Sequence, residues 1–526
     1  MGAVAGLAVS GLVLVAKPAQ AQVTAFKQAV AEAAWGDEDI ATFYRQSNYA
    51  PIWTGEGEAD RKRRSALIDA LSDTYVHALP SSRYDVDGLM ASMRAAKTTR
   101  DMGFLEVELS RAFLKYARDV QNGILIPRQI DPGLVREVLY RDRAELLTEF
   151  SAAEPFAYMD SLPPQTREYS ALMKSRLKLE RLVSEGGWGA TVPGGKLKPG
   201  QTGDAVIALR NRLQRMGYMG RSATRTYDSD IETAVADFQR AHGLEVDGVA
   251  GDGTIKEINV SATDRLRSVL VAMERERWLN REMGDRHILV NLADFHAKIV
   301  DHGAITFQTR SVVGKNTGDR RSPEFSDVME HMIINPSWHV PRSIITKEYL
   351  PQLRNNPHAA GHLIITDARG RRVDRNSVDF SAYSSRNFPF DMRQPPSNRN
   401  ALGLVKFMFP NKHNIYLHDT PQKALFKKEV RAYSHGCIRL ADPFDFAYEL
   451  LSRQEDQPKE YFQRILKSGS ETKVPLNVQL PVHLIYRTAF TTIDGRMEFR
   501  RDVYGRDAKI WNALTNAGVA LSDVQG

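Results

Sequence analysis

A glycine- and proline-rich stretch at residues 186–200 divides this chain into parts with different sequence patterns. It contains Gly186-Gly187-Trp188-Gly189, Pro193-Gly194-Gly195 and Pro199-Gly200, and these residue types favour turns over helices or strands. A single core rarely serves more than about 250–300 residues, so a chain of 526 residues is expected to form three or so cores. The only cysteine is Cys437. With no intramolecular disulfide available, packing must hold these cores together.

Residues 1–21 have the pattern of a secretory signal. Residues 3–16 form an apolar run of 14 residues, shorter than the ~20 residues of a membrane-spanning helix. Ala19-Gln20-Ala21 follows as a small-x-small cleavage pattern. The run lacks a preceding basic residue, and an uncleaved anchor is the alternative. We expect an exported protein.

The charge of the chain is mildly positive. Lys and Arg number 71 against 64 Asp and Glu, a net charge of +7. Such a balance suits an anionic surface such as a cell-wall polymer. The chain has no dense Lys/Arg block of the kind that favours nucleic acid.

Residues 22–185 are predicted to form a helical scaffold domain. Apolar residues recur at steps of three and four up to Asn122-Gly123, the spacing of an amphipathic helix; they are Leu105, Leu109, Ala112, Phe113, Tyr116 and Val120. The aromatic residues between Phe43 and Trp53 favour a core over a ligand surface. No catalytic set of residues is present in this region, so we interpret it as a scaffold.

Residues 196–260 are predicted to form a separate unit of three short helices. Val206, Leu209 and Leu213 lie on one face of the first helix. Ser229 and Glu232 have the spacing of a capping box for the second helix, and Thr254 is the predicted cap of the third.

This unit resembles the peptidoglycan-binding domain type 1 family. The resemblance is carried by Gly203-Asp204-x-Val206, Leu209-x-x-x-Leu213, Ala234-Val235-x-x-Phe238-Gln239, Gly243-Leu244 and Asp247-Gly248-Val249 with Gly251 and Thr254. It implies binding to cell-wall peptidoglycan. A three-helix unit with the same core and no ligand groove is the alternative.

From residue 286 onward the pattern changes from helical to strand-like, with alternation at Ile288, Val290 and Leu292. We predict a mainly β catalytic domain over residues 286–455. Residues 340–396 form a long insertion, a feature typical of a lid or binding loop. Residues 470–526 are predicted to complete the domain. The predicted fold class is multidomain α+β.

Cys437 and His418 are the candidate reactive pair. A strand predicted at Ile415–Leu417 delivers His418 at its end, and Cys437 follows the turn residue Gly436. An imidazole that accepts the thiol proton makes such a pair nucleophilic. Because adjacent strand residues point to opposite faces, we expect a backbone carbonyl, that of Asp419, to orient the imidazole. A lone cysteine that is merely a buried apolar residue is the alternative.

A zinc site is a further alternative for these residues. Its ligands would be His413, His418, His435 and Cys437, but none of the usual paired ligand spacings is present. We predict no metal and no other cofactor.

The segment around Cys437 resembles the signature of the YkuD family of L,D-transpeptidase catalytic domains. The resemblance rests on His418, a spacer of fifteen residues, and Ser434-His435-Gly436-Cys437-Ile438-Arg439. Lys406-Phe407-x-Phe409-Pro410-Asn411, Tyr416-Leu417-His418-Asp419-Thr420-Pro421 and Leu425-Phe426 extend it to the large periplasmic subgroup typified by YcbB.

The resemblance implies roles for the residues of the motif. Cys437 would be the nucleophile and His418 the proton donor and acceptor. The turn residues Ser434, His435 and Gly436, together with Arg439, would shape the site and its oxyanion-binding groups. We add Tyr416, Trp338 and Asp419 as candidate residues of the substrate cleft.

The resemblance also implies the reaction. Cys437 would attack a tetrapeptide stem of peptidoglycan, release D-Ala, and pass the acyl group to a diamino acid of another stem as a 3→3 cross-link. A carboxypeptidase and a transpeptidase that anchors wall proteins are the alternatives, because cleft shape selects the acceptor. The non-enzyme alternative is a peptidoglycan-binding scaffold. The expected location is the periplasm, with peptidoglycan stems and possible wall-synthesis proteins as partners.

Overall fold

The computed structural model describes residues 18–492 and 495–521. The predicted signal segment lies mainly outside the described residues, which begin with the first helix. Within the described part of the chain, no helix is long and apolar enough to cross a membrane.

The first part of the chain is helical, as its periodicity predicts. Its α-helices are α1 Pro18–Ala33, α2 Glu38–Gln46, α3 Glu58–Ser72, α4 Val86–Ala95, α5 Thr99–Asn122, α6 Pro127–Ile130, α7 Arg143–Ala152, α8 Pro155–Ser161 and α9 Arg167–Ser184. The predicted amphipathic helix is α5. It begins at a capping box of Thr98 and Asp101 and ends at Gly123, whose φ of +81° favours glycine.

The aromatic residues near position 50 are confirmed as core. Trp53 is fully buried and stacks on Phe150 with ring centroids 5.1 Å apart. The buried carboxylate of Glu106, on α5, accepts hydrogen bonds from the backbone N–H groups of Ile52 at 2.6 Å and Thr54 at 2.8 Å. These bonds satisfy a carboxylate that burial would otherwise destabilise, and they fix the loop against α5.

The next unit contains the three predicted helices, α10 Asp204–Arg215, α11 Ser229–Ala241 and α12 Asp252–Ile258. Both predicted caps are wrong. Asp228, not Ser229, caps α11, and a carboxylate there also interacts favourably with the helix dipole. Thr254 lies inside α12, where its buried hydroxyl accepts a hydrogen bond from Gln239 Nε2 at 3.2 Å.

Helix α13, Ala262–Trp278, joins the parts of the molecule. Leu266, Val269 and Leu270 pack with Tyr169 and Leu172 of α9. Helix α9 therefore packs in a cluster separate from the main core of the N-terminal helical region.

The C-terminal half is mainly strand. Its strands are β1 Arg286–Asn291, β2 His296–Asp301, β3 Ala304–Gly314, β4 Phe325–Ile334, β5 Trp338–His339, β6 Ile364–Thr366, β7 Asp391–Gln394, β8 Val405–Met408, β9 Leu417–His418, β10 Ala432–Ser434, β11 Ile438–Leu440, β12 Thr472–Ile485, β13 Ala489–Thr491 and β14 Met497–Phe499. Its α-helices are α14 Arg342–Ile344, α15 Leu350–Asn355, α16 Pro443–Leu451, α17 Pro458–Lys467 and α18 Arg506–Asn516.

The main sheet closes on itself. Its strand order is β10-β3-β11-β9-β8-β4-β12-β1-β2, and β2 also pairs with β3. Strands β9 and β11 run parallel, with His418 opposite Arg439. The predicted tail strand is β12, which pairs with β4 and β1 and so lies inside the sheet.

The insertion has a core of its own. Strands β5, β7 and β6 form a small antiparallel sheet, covered by buried side chains that include Phe380, Phe388 and Phe390. The sequence predicts a helix near residues 344–353 followed by a polar loop. The helical part is present, but β6 and β7, of three and four residues, are too short to show an alternating pattern.

Candidate active site

Two adjacent parallel strands, β9 and β11, carry His418 and Cys437 into neighbouring positions of the closed sheet. His418 ends β9, and Cys437 immediately precedes β11. The strands are in register, and the Ile438 N–H donates to the Tyr416 carbonyl at 3.1 Å. The parallel pairing of β9 and β11 therefore brings two residues that are distant in the sequence close together.

The imidazole of His418 is held by a backbone carbonyl. Nδ1 lies 2.5 Å from the carbonyl oxygen of Asp419, so the expectation for this contact is confirmed. Burial, together with the positive charge of Arg439, lowers the pKa of His418 to about 3. The ring is neutral near pH 7. With Nδ1–H donating to the carbonyl, Nε2 is the proton acceptor.

The carboxylate of Asp419 is occupied by structural contacts. It accepts from the Leu404 N–H at 2.9 Å and the Thr420 N–H at 2.6 Å, and it pairs with Lys423 Nζ at 2.7 Å. This buried carboxylate holds the loops beside β9. As the sequence predicts, none of the contacts among the described residues joins this carboxylate to the imidazole of His418.

The sulfur of Cys437 lies against Asn414 and Tyr416. Its thiol donates to the Asn414 carbonyl at 3.4 Å. The backbone N–H and hydroxyl of Tyr416 both hydrogen-bond the sulfur, which lowers the pKa of Cys437, but burial is the larger effect and raises that pKa to about 11. Part of the Cys437 surface remains exposed, while the sulfur itself is packed. The thiol is therefore protonated at neutral pH.

Tyr416 stands between the two candidate reactive groups. Its ring centroid lies 5.6 Å from that of His418, and its hydroxyl reaches the sulfur of Cys437. Burial and the adjacent sulfur raise the Tyr416 pKa, so the hydroxyl remains a donor. Among the contacts of the described residues, none joins the imidazole of His418 directly to the thiol.

Two cations supply positive charge beside the sulfur. Arg439 and Lys406 both favour the anionic form of Cys437 and so lower its pKa. Arg439 Nη1 donates to Gln422 Oε1 at 2.6 Å, and Lys406 Nζ lies 6.0 Å from the centre of the Tyr416 ring. Lys406 opposes His418 across β8 and β9. Lys406 belongs to a motif that carries the family resemblance, but the sequence did not indicate its electrostatic role beside the sulfur.

The turn before Cys437 is closed by Ser434. Its Oγ donates to the Cys437 carbonyl at 2.5 Å and accepts from the Gly436 N–H at 3.1 Å. Gly436 has a φ of +116°, and a Cβ there would lie 3.2 Å from Ile415 Cδ1, so glycine is required. Because the Gly436 N–H is engaged by Ser434, it is not a free oxyanion donor.

A buried network behind this turn was not predicted from the sequence. Ser322 Oγ donates to the Gly436 carbonyl at 2.6 Å and accepts from the Gly314 N–H at 2.9 Å. The Tyr504 hydroxyl donates to the Gly314 carbonyl at 2.6 Å, and Arg506 Nη2 donates to the Ser322 carbonyl at 2.8 Å. The C-terminal tail thus supports the turn as well as the sheet. No short motif links these distant segments.

The insertion reaches the motif through Glu348. Its Oε1 accepts from His435 Nε2 at 2.6 Å and from Arg320 Nη2 at 2.5 Å. Lys347 also pairs with Asp319. His435 is therefore the motif residue that contacts the insertion.

Trp338 belongs to a different part of the molecule from Cys437. It lies on β5 and packs edge-to-face with Tyr349, with ring centroids 6.5 Å apart. Trp338 packs with the core of the insertion and Cys437 with the core of the main sheet. The structure therefore brings Tyr416, but not Trp338, to the sulfur.

The four side chains weighed as zinc ligands have other contacts. His418 faces a carbonyl and His435 faces Glu348, while His413 packs on Phe325 at 5.2 Å between ring centroids. Within the described ranges, no group of three or more His, Cys, Asp or Glu side chains is arranged to hold a metal ion.

Three regions of the chain match known protein families. Residues 285–475 match the family described as the L,D-transpeptidase catalytic domain, YkuD. Residues 202–258 match a peptidoglycan binding domain, and residues 38–175 match a scaffold domain.

The chain is similar to a known protein over part of its length. It is 31% identical over 261 residues to a Haemophilus influenzae protein named as an L,D-transpeptidase, and the match covers 49% of this chain and 50% of that protein. The chain thus spans about half the length of this relative.

Two solved structures are more distant. An L,D-transpeptidase from Xylanimonas cellulosilytica is 14% identical, with 56% of this chain and 98% of that chain covered and a TM-score of 0.17. A fused Zn-dependent amidase/peptidase/peptidoglycan-binding protein from Clostridium acetobutylicum is 12% identical, with 56% and 100% covered and a TM-score of 0.15. Neither score is high enough to carry an argument.

These matches confirm the families that the sequence motifs resemble. They also agree with the observed order of a helical region, a three-helix unit and a closed sheet. The chain thus combines regions that match an L,D-transpeptidase catalytic domain, a scaffold domain and a peptidoglycan-binding domain.

Proposed function

We propose that the protein is a peptidoglycan L,D-transpeptidase that forms 3→3 cross-links through an acyl-enzyme on Cys437. The parallel pairing of β9 and β11, which carries Cys437 and His418 on adjacent strands, is the observation that supports this proposal most directly. The YkuD match and the adjoining peptidoglycan-binding domain support peptidoglycan as the substrate.

Acylation begins with loss of the thiol proton. The neutral imidazole of His418 accepts it as the sulfur attacks the carbonyl carbon of the third stem residue. Hydrogen bonds from Tyr416, and the positive charges of Lys406 and Arg439, stabilise the developing negative charge on sulfur. In this mechanism the Cys437 N–H stabilises the tetrahedral oxyanion, a contribution of about 3 kcal/mol for a single donor.

Collapse of this intermediate breaks the peptide bond and yields a thioester. The His418 imidazolium returns its proton to the departing amino group of D-Ala. A side-chain amine of a diamino acid on a second stem then attacks the thioester, its proton passes to His418, and the thiol is regenerated.

The group that accepts the acyl chain distinguishes the proposed transpeptidase from a carboxypeptidase. Analysis of the reaction products identifies that group. Purified protein is incubated with disaccharide-tetrapeptide fragments, and the products are separated and sequenced by mass spectrometry. We expect 3→3 dimers with release of one alanine per cross-link, and no dimers from Cys437→Ala. Tripeptide monomers alone would indicate a carboxypeptidase. Dimers formed by Cys437→Ala would refute the site.

A further inference from the structure

The scaffold domain contains a basic cleft that the proposed reaction does not use. Its volume is about 510 Å³, and it lies between α5 and the segment leading into α7. Asp119 is the acidic residue in its lining. The cations that line the cleft are Arg83, Arg111, Lys115, Arg118, Arg141 and Arg143.

Three of these cations are neutralised by carboxylates. Arg83 pairs with Asp119 at 2.7 Å, Arg141 with Glu149 at 2.5 Å, and Arg143 with Asp37 at 2.7 Å. Such pairs add little net charge to the cleft. The guanidinium groups of these three arginines serve mainly to fix the walls of the cleft in place.

The other three cations form no direct ion pair among the described residues, although the charge of Arg111 contributes to lowering the pKa of Asp37. Arg111 donates to the Ala33 carbonyl at 2.5 Å and Lys115 to the Arg83 carbonyl at 2.5 Å. The guanidinium of Arg118 lies over the ring of Tyr140, 5.2 Å from its centre. Because six cations and one acidic residue line the cleft, it has a local excess of positive charge.

These three residues form a stripe, which we call the α5 basic stripe. Steps of four and three residues place Arg111, Lys115 and Arg118 on one face of α5. With a rise of 1.5 Å per residue, the stripe extends about 10 Å. Like charges at this spacing repel one another, and a bound anion would relieve that repulsion.

Two neighbouring groups are suited to an organic anion. The Gln121 side chain lines the cleft and is 4% exposed, yet its Nε2 has no hydrogen-bond partner within the described residues. The ring of Tyr140 is 52% exposed and offers an apolar face to a sugar or peptide group. A buried donor without a partner costs stability, and a ligand acceptor would satisfy it.

We propose that this cleft binds carboxylate groups of peptidoglycan stem peptides, and so provides the scaffold domain with its own site for wall polymer. The choice of polymer rests on the proposed function. Cations spread along about 10 Å of helix suit several carboxylates on one chain, whereas a single phosphate is usually held by groups that converge on it. The proposal concerns binding alone and requires no chemistry at Cys437.

Binding to purified, insoluble peptidoglycan tests this proposal. The full chain with Cys437→Ala is compared with the same protein carrying Arg111→Gln, Lys115→Gln and Arg118→Gln. The matched control carries Lys174→Gln, Lys178→Gln and Arg181→Gln, which remove the same charge at the same spacing from exposed positions of α9. Sedimentation at several salt concentrations gives the dissociation constants.

We expect the stripe variant to bind at least fivefold more weakly and the control to stay within twofold of the parent. Amidation of the peptidoglycan carboxylates should abolish the difference between parent and stripe variant. Arg118→Gln alone, which removes a guanidinium lying over the exposed ring of Tyr140, should weaken binding about twofold. Unchanged thermal unfolding shows that the variants are folded.

Three results would overturn the proposal. They are equal binding by the parent and stripe variant, equal weakening by the stripe and control variants, and retention of the difference on amidated peptidoglycan. Competition by inorganic phosphate together with the last result would indicate a phosphate-bearing ligand. Because the assay needs no turnover, a stripe effect without 3→3 dimers in the wild-type assay would refute the proposed function and leave the cleft assignment intact.

Discussion

At the residue scale, the protonation states of Cys437 and His418 determine how the sulfur reacts. Burial raises the thiol pKa to about 11 and lowers the imidazole pKa to about 3. Both groups are therefore neutral at pH 7. A neutral pair requires proton transfer during attack, in contrast to a thiolate–imidazolium pair that exists beforehand.

The pH dependence of thiol alkylation measures this state. Burial disfavours the anion, so the thiolate fraction and the rate of reaction with iodoacetamide should rise with pH up to about pH 10 without a plateau. The same cysteine in urea-unfolded protein provides the control and should approach its plateau at lower pH. A plateau below about pH 7.5 in the folded protein would show a thiolate–imidazolium pair.

The hydroxyl of Tyr416 should be needed for thiolate formation. It donates to the sulfur and lowers the thiol pKa, so Tyr416→Phe should raise that pKa and slow alkylation at pH 8 about tenfold, the effect of losing a hydrogen bond to a charged group. Tyr433→Phe, at an exposed position of β10, should change the rate by less than about twofold. Equal rates for Tyr416→Phe and the wild type would contradict this role.

At the element scale, Glu348 connects the insertion to the turn before Cys437. Glu348 accepts from His435 and Arg320 while its side chain remains about one-third exposed, at 31%. Such partly exposed ion pairs contribute about 1 kcal/mol or less. The contact can therefore form and open without a large cost.

Removal of the Glu348 charge should loosen the insertion. In Glu348→Gln, we expect amide hydrogen exchange in residues 342–355 to accelerate about two- to fivefold, because a pair worth up to about 1 kcal/mol is lost. Glu330→Gln, at an exposed position on β4, should leave that segment unchanged. Unaltered exchange in Glu348→Gln would show that other contacts hold the insertion.

Elements with regular patterns could be predicted from the sequence, and contacts between distant segments could not. Helix α5 and strand β12 were recognisable because periodicity and capping act locally. The imidazole–carbonyl contact of His418 followed from strand alternation. The contact of Ser322 with Gly436 spans 114 positions, and the role of Lys406 depends on a pairing of β8 with β9. Neither leaves a local pattern.

At the scale of the whole molecule, α13 connects regions through buried ion pairs. Arg275 pairs with Glu324 at 2.8 Å and with Asp507 at 2.9 Å, and its side chain is 4% exposed. Glu276 pairs with Arg487 of the tail at 2.7 Å. Helix α13 thus links the C-terminal tail to the main sheet.

Loss of the Arg275 charge should destabilise the whole protein. Arg275→Met retains the apolar stem but leaves two buried carboxylates without this partner, and we expect a loss of about 3–5 kcal/mol in unfolding free energy. Arg267→Met on the same helix breaks an exposed pair with Asp264 and should cost about 0–1 kcal/mol. Urea unfolding measures both. Similar losses of unfolding free energy in the two variants would show that burial does not make the ion pairs of Arg275 more stabilising than an exposed pair.

The acyl-enzyme on Cys437 is the central claim, and intact-protein mass spectrometry tests it directly. The protein is mixed with disaccharide-tetrapeptide and quenched in acid within seconds, and the modified peptide is then mapped. The account predicts an adduct with the mass of the fragment minus one alanine, attached to Cys437 and absent from Cys437→Ala. No adduct in a preparation that forms dimers, an adduct on another residue, or one that retains the alanine would contradict it.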